Sequence, residues 1–342
     1  MGDLFSPKER LLRTLNKQGR DRPPLICPGG MMNAAVVEVM EKTGHTLPAA
    51  HHQGALMADL AWDVYEKTGF ENFGLPFCMT IEAEALGSAV DYGSLTCEPK
   101  IRQEAFPSVK DRAFAPKRAI EKTTRAAVVL EAVRSLSKTY PDIPVIGSIT
   151  GPLSTAASLV DPMTFLKELR RNKEDAHRFL NLVTDELMQW AQLLADNGAT
   201  VIAIADPTAT GEILGPTLFE EYALPRLNRL VDALHSMRVP VIIHICGDIR
   251  RVKTHLFKLQ GDALSVDAMV NLGALKEEQP AITTMGNLST YLLQSGNPGT
   301  VQARAEALLK KHIDILAPAC GLSTSTPLEN IRAFTATVKE RG

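Results

Sequence analysis

Short apolar runs recur along the chain, each closed by a turn signal and most followed by a stretch with apolar residues at helical spacing. They fall at residues 24–28 (PLICP), 71–75 (ENFGL), 144–149 (PVIGSI), 200–205 (TVIAIA), 240–245 (PVIIHI), 263–266 (ALSV), 282–287 (ITTMGN) and 313–316 (IDIL). Several are continuously apolar, the pattern of parallel strands covered on both faces. Between them, 162–197 and 216–236 are amphipathic and long enough to cross back over a sheet. Eight alternations predict an α/β fold, a single (β/α)8 TIM barrel spanning residues 1–342. A doubly wound sheet is the alternative. The connections at about 29–70 and 76–143 are long for a barrel and predict extra N-terminal helices or a lid over the open face. Two helix starts read in detail: Ser6-Pro7-Lys8-Glu9 and Thr326-Pro327-Leu328-Glu329 each combine a hydroxyl cap, a first-turn proline and a capping-box glutamate.

Composition adds exclusions. With 45% hydrophobic residues the chain can bury a core of barrel size, and no proline-, glycine- or serine-rich linker divides it. Lys and Arg total 37 against 39 Asp and Glu, so no net field gathers nucleic acid or an anionic membrane surface, and neither is expected as a partner. The charged start (Lys8, Glu9, Arg10, Arg13) and the lack of any run of about 18 uncharged apolar residues read as a soluble, cytoplasmic protein. Five scattered cysteines do not make a disulfide framework, which leaves reduced thiols available as ligands. Cys27, Cys78 and Cys97 are assigned to packing.

In a barrel, chemistry sits at the C-terminal ends of the strands. Asp206 follows the fourth run, His244 and Cys246 close the fifth, Asp267 the sixth and Asn287 the seventh, and Cys320 follows the eighth. Two residues apart on an extended segment, His244 and Cys246 point the same way, and Cys320 comes from the far end of the chain to the same mouth. Two thiolates and an imidazole suit zinc, and three protein ligands leave a position open for substrate. Asp267 is either a fourth ligand or the group that orients His244. Asp206 reads as a proton acceptor, a partner to a cation or a solvated carboxylate, and Asn287 as a neutral donor and acceptor toward substrate. The loop 321–326 (GLSTST) gathers hydroxyls, Ser323 among them, where an anionic tail fits. Gly29-Gly30 permits close approach of a ligand, or makes a turn. No glycine cluster completes a dinucleotide or P-loop fingerprint.

Through His244-Ile245-Cys246-Gly247, Ala317-Pro318-Ala319-Cys320-Gly321 and Thr326-Pro327-Leu328-Glu329-Asn330, the chain resembles the methylcobamide:coenzyme M methyltransferases of the uroporphyrinogen decarboxylase superfamily. The resemblance runs nearly the whole length, through Leu75-Pro76-Phe77-Cys78-Met79-Thr80, Gly151-Pro152 and 201–207. It implies a barrel, one zinc held by His244, Cys246 and Cys320, a methylated corrinoid on a partner protein as donor, and the thiol of coenzyme M as acceptor. The thiol, deprotonated at the metal, would displace the methyl group from Co(III) in line. Tetrahydrofolate or another thiol is the alternative acceptor. Where the archaeal methanol-type enzymes offer a glutamate near the sixth strand, this chain has Asp267. Uroporphyrinogen decarboxylases place an arginine-containing segment after the first strand, whereas this chain has Cys27-Pro28-Gly29-Gly30-Met31-Met32, so porphyrinogen decarboxylation is not expected. A noncatalytic barrel that binds a corrinoid protein or tetrapyrrole, with a structural zinc, is the remaining reading.

Overall fold

The computed structural model describes residues 3–111 and 113–342. Six strands form one parallel sheet: β1 (Phe73–Leu75), β4 (Val145–Thr150), β5 (Val201–Ala205), β6 (Val241–Ile245), β7 (Ala263–Val266) and β8 (Thr284–Met285). Between β1 and β4 lies a separate antiparallel hairpin, β2 (Ala89–Asp91) and β3 (Lys100–Gln103). The sheet order β1-β4-β5-β6-β7-β8 follows the chain without reversal, which rules out a doubly wound sheet.

Closure comes from the first and last runs, which pair at single residues rather than along ladders. Ile315 bridges Met285, and Leu316 bridges Leu25, both in the parallel sense. The N–H of Glu71 donates to the Leu25 carbonyl (2.8 Å). Pro24 and Pro28 have no N–H to give, so regular pairing stops there. The Asn72 side chain substitutes for a ladder, accepting from the Cys27 N–H (2.8 Å) and donating to the Cys27 carbonyl (2.9 Å). The expected strand at 71–75 accordingly starts at Phe73, and that at 282–287 shrinks to β8.

Alternation along the strands divides the core in two. Ile146, Val201, Ala203, Ile242, Ala263, Met285 and Ile315 fill the barrel, and the helix Pro7–Leu15 plugs its N-terminal end with Leu11 and Leu15. Ile202, Ile204, Ile243 and Ile245 face the surrounding helices. That parity turns His244, two residues beyond Ile242, toward the barrel axis. Beneath the plug, Glu71 accepts from Arg10 (3.2 Å), from Arg22 and from the Leu25 N–H (3.2 Å), while Asp21 takes the Nε of Arg10 (2.8 Å).

Ser6 caps the first helix as expected, accepting from the Glu9 N–H (3.2 Å). The last helix, Leu328–Arg341, departs from expectation: Pro327 occupies the cap position, and the buried Thr326 hydroxyl has no hydrogen-bond partner among the described residues. Its first N–H, that of Leu328, instead donates to Glu38 (3.0 Å) from the early helix Val37–Thr43. The segment 162–197 is two helices, Pro162–Arg171 and Lys173–Asp196, parted at Asn172. The long early connections do hold added helices, Val37–Thr43 and Gly54–Thr68, and the β2–β3 hairpin reaches over the strand ends, where the Thr324 hydroxyl donates to the Thr96 carbonyl (2.9 Å). Among the described residues no helix is long and apolar enough to cross a membrane.

Candidate metal centre

His244 is the penultimate residue of β6, and Cys246 leaves the strand just beyond it. Cys320 arrives from the segment that follows the last parallel bridge, Leu288 to Pro318. One ligand atom from each of these three residues lies within 4.8 Å of the other two. The two sulfurs are 3.3 Å apart. That is far beyond an S–S bond of about 2.05 Å and near the roughly 3.8 Å edge spanned by two sulfurs each about 2.3 Å from a tetrahedral zinc. Their mutual hydrogen bond pushes the Cys246 thiol up and the Cys320 thiol down.

The imidazole carries the most direct sign of a missing ligand. His244 is 3% exposed, its Nδ1 is hydrogen-bonded to the Ser265 hydroxyl (2.9 Å), and its Nε2 is buried with no partner among the described residues. A buried polar atom left unpaired is costly, and a ring fixed by its other nitrogen is the arrangement of a metal-bound histidine. Burial of Nε2, together with two sulfurs at bonding range of a common point, fits zinc.

Ser265 was not singled out from sequence. It pairs with His244 in the β6–β7 register and shares the inward parity of Ala263, which was the available signal. The side chain bonded to the imidazole Nδ1 is thus Ser265 and not Asp267. Asp267 stands beside the cluster without joining it: its Oδ2 is 3.6 Å from the Cys246 sulfur, and its Oδ1 accepts from the Met269 N–H (3.1 Å). Asn287 holds that turn in place, donating to the carbonyls of Asp267 and Val270 (2.8 Å each).

Other candidates are placed differently from expectation. Asp206 is fully buried instead of solvated, and its carboxylate accepts from the N–H groups of Leu153 (3.0 Å) and Ser154 (2.9 Å) and from the Ser154 hydroxyl (2.6 Å). It closes the N-terminus of the helix Pro152–Leu159, and burial, outweighing these donors, pushes its pKa up to about 6. The room beside Gly29 and Gly30 is taken by the protein itself. A Cβ on Gly29 would lie 2.4 Å from the Gly74 backbone, and one on Gly30 2.3 Å from the Ser148 hydroxyl, so these glycines serve chain packing rather than ligand approach. Cys27 and Cys78 are buried as expected, Cys27 donating to the Met32 carbonyl (3.0 Å) and Cys78 accepting from Arg125 (3.0 Å). Cys97, in contrast to the packing role expected for it, is exposed in the loop of the hairpin. Ser323 lines a cavity of about 640 Å³ that has Cys320 in its wall.

Known proteins share this architecture along its whole length. The sequence is 32% identical over 338 residues, 97% of each chain, to a methylcobamide:CoM methyltransferase of Methanosarcina barkeri. It is 32% identical over 337 residues, 98% of each chain, to another of Methanosarcina acetivorans. The solved structure of a methyltransferase from Methanosarcina mazei superposes with a TM-score of 0.91 at 30% identity, covering 98% of this chain and 99% of that one. Residues 6–341 match the family model described as uroporphyrinogen decarboxylase (URO-D). This chain therefore belongs to the uroporphyrinogen decarboxylase family, with relatives among its methylcobamide:CoM methyltransferases.

Proposed function

We propose that this protein transfers a methyl group from a methylated corrinoid on a partner protein to a small thiol, coenzyme M being the favoured acceptor, at a zinc ion held by His244, Cys246 and Cys320. One observation carries the reading: the three ligand atoms gather at the barrel mouth while the buried Nε2 of His244 has no hydrogen-bond partner among the described residues. The relatives named for this reaction, at 32% identity over 97% of each chain, support it. Zinc supplies the Lewis acidity that keeps a thiol, with an ordinary pKa of about 8.5, deprotonated at neutral pH.

The residues do the positioning. Ser265 orients the imidazole so that Nε2 points into the site, and Asn287 holds the turn that keeps Asp267 beside Cys246, where its carboxylate is a candidate fourth ligand in the absence of thiol. The acceptor sulfur bonds to the methyl carbon as the Co–C bond breaks. The bonding pair stays on cobalt, taking Co(III) to Co(I), and the thiol proton goes to solvent. Such a displacement needs alignment more than acid or base help. A corrinoid on its carrier protein is too large for an enclosed pocket, so the donor is expected to dock on the open strand-end face.

Purified protein supplied with methylcobalamin and coenzyme M is expected to consume the methyl–cobalt absorbance and form methylated thiol. Transfer to tetrahydrofolate alone would change the acceptor, and transfer to neither would contradict the reading. Ser265→Ala is expected to weaken zinc binding by roughly 10–100-fold. Chelator competition measures this, and an unchanged affinity would show that the hydroxyl does not support the ligand.

A further inference from the structure

The cavity of about 640 Å³ beside Cys320 is bounded on one side by the loop carrying Ser323 and Thr324 and on the other by the β2–β3 hairpin. Lys100, the first residue of β3, is the one cation among the described residues that line it. The same side chain borders the adjoining cavity over the ends of β4 and β5, so it stands on the ridge between the two. Its ammonium is 3.7 Å from Asp91, with side chains 66% and 47% exposed, a long and solvated pairing that a ligand can replace at little cost. The hairpin is tied to the loop that follows Cys320 through Thr324 and Thr96 (2.9 Å), which joins the two walls.

The cavity has one acidic group, Glu98, which accepts from Asn33 (3.3 Å). Burial pushes its carboxyl up, while the Asn33 amide pulls it down. The remaining polar wall, Thr290, Gln294, Ser323 and Thr324, is neutral. The cavity wall therefore carries a cysteine sulfur, one carboxyl group and one ammonium group.

Taking the metal-centre reading above as its basis, we infer that Lys100 determines acceptor specificity by holding the anionic tail of a small thiol whose sulfur lies at the Cys320 end of this cavity. The ligand class is a short thiol ending in a sulfonate or carboxylate. A lysine ammonium, a compact charge with three donors, pairs with either anion and needs no bidentate geometry.

The test uses zinc-loaded protein and three thiols of similar length: 2-mercaptoethanesulfonate, 3-mercaptopropionate and 2-mercaptoethanol, with affinities read by calorimetry. Wild-type protein is expected to bind at least one anionic thiol about 10–100-fold more tightly than the neutral one. Comparison of the first two thiols identifies the anion. Lys100→Ala should remove that preference while leaving 2-mercaptoethanol affinity and zinc content unchanged, and Lys100→Arg should restore part of it. A Lys100→Ala protein that keeps the full preference, or a wild type without one, overturns the assignment and leaves the metal-centre reading standing. Zinc-loaded wild type that binds none of the three thiols overturns both.

Discussion

Cys246→Ala and Cys320→Ala proteins are expected to fold as the parent does, to purify with little zinc and to transfer methyl groups at least about 10²-fold more slowly. The estimate has two parts. A thiol with a pKa near 8.5 is only about 3% ionised at pH 7, so losing the metal costs roughly 30-fold in nucleophile alone. Losing the fixed position of the sulfur adds to that. Both cysteines are only partly buried, so neither truncation opens a core cavity, and circular dichroism should show the parent's folded spectrum, with a melting temperature lowered by no more than zinc removal lowers that of the parent. Elemental analysis and the methylcobalamin assay together decide the matter. Full zinc with undiminished turnover in both variants would remove the two thiols from the site.

Glu71→Ala is expected to destabilise the fold by about 3–5 kcal/mol. Arg10 is fully buried and Arg22 is 6% exposed, and Glu71 accepts from both while also taking the Leu25 N–H. Truncation takes the buried carboxylate from both guanidinium groups, leaving Asp21 to Arg10 and the half-exposed Asp3 to Arg22, and loosens the seam between the first segment and β1, where Glu71 also donates its own N–H to Leu25. Urea titration should show a clearly lowered midpoint. An unchanged midpoint would mean that Asp3 and Asp21 suffice for the two arginines.

The barrel was legible because its signal is local. Continuous apolar runs at 144–149, 200–205 and 240–245 became β4, β5 and β6, and period-two parity along β6 correctly aimed His244 and Cys246 at one point. Where hydrogen bonding is carried by side chains, the pattern misled. The seam at Cys27 is held by the Asn72 amide, so 24–28 reads as a strand but pairs at one residue.

Contacts between distant segments left no local trace. The last helix is capped by Glu38, 290 residues away, whereas Thr326 beside it merely looked the part. Asp206 read as a strand-end proton acceptor, a partner to a cation or a solvated carboxylate. It is buried because the helix Pro152–Leu159 begins directly after the neighbouring strand and turns its free N–H groups toward it. Ser265 read as a small residue in a buried strand, and only the register of β6 with β7 places it against the imidazole. Lys100 sits in a mainly polar hairpin with no hydrophobic period to announce it, so its place in the wall of the Cys320 cavity became visible only once the chain was folded.

The central claim is that His244, Cys246 and Cys320 hold a zinc ion with a position open to an acceptor thiol. Zinc K-edge absorption on the purified protein, with and without coenzyme M, tests it most directly. The account predicts one nitrogen and two sulfurs from the protein in the first shell, and a third sulfur when the thiol is added. A protein without zinc, or a first shell that does not change with the thiol, would contradict it.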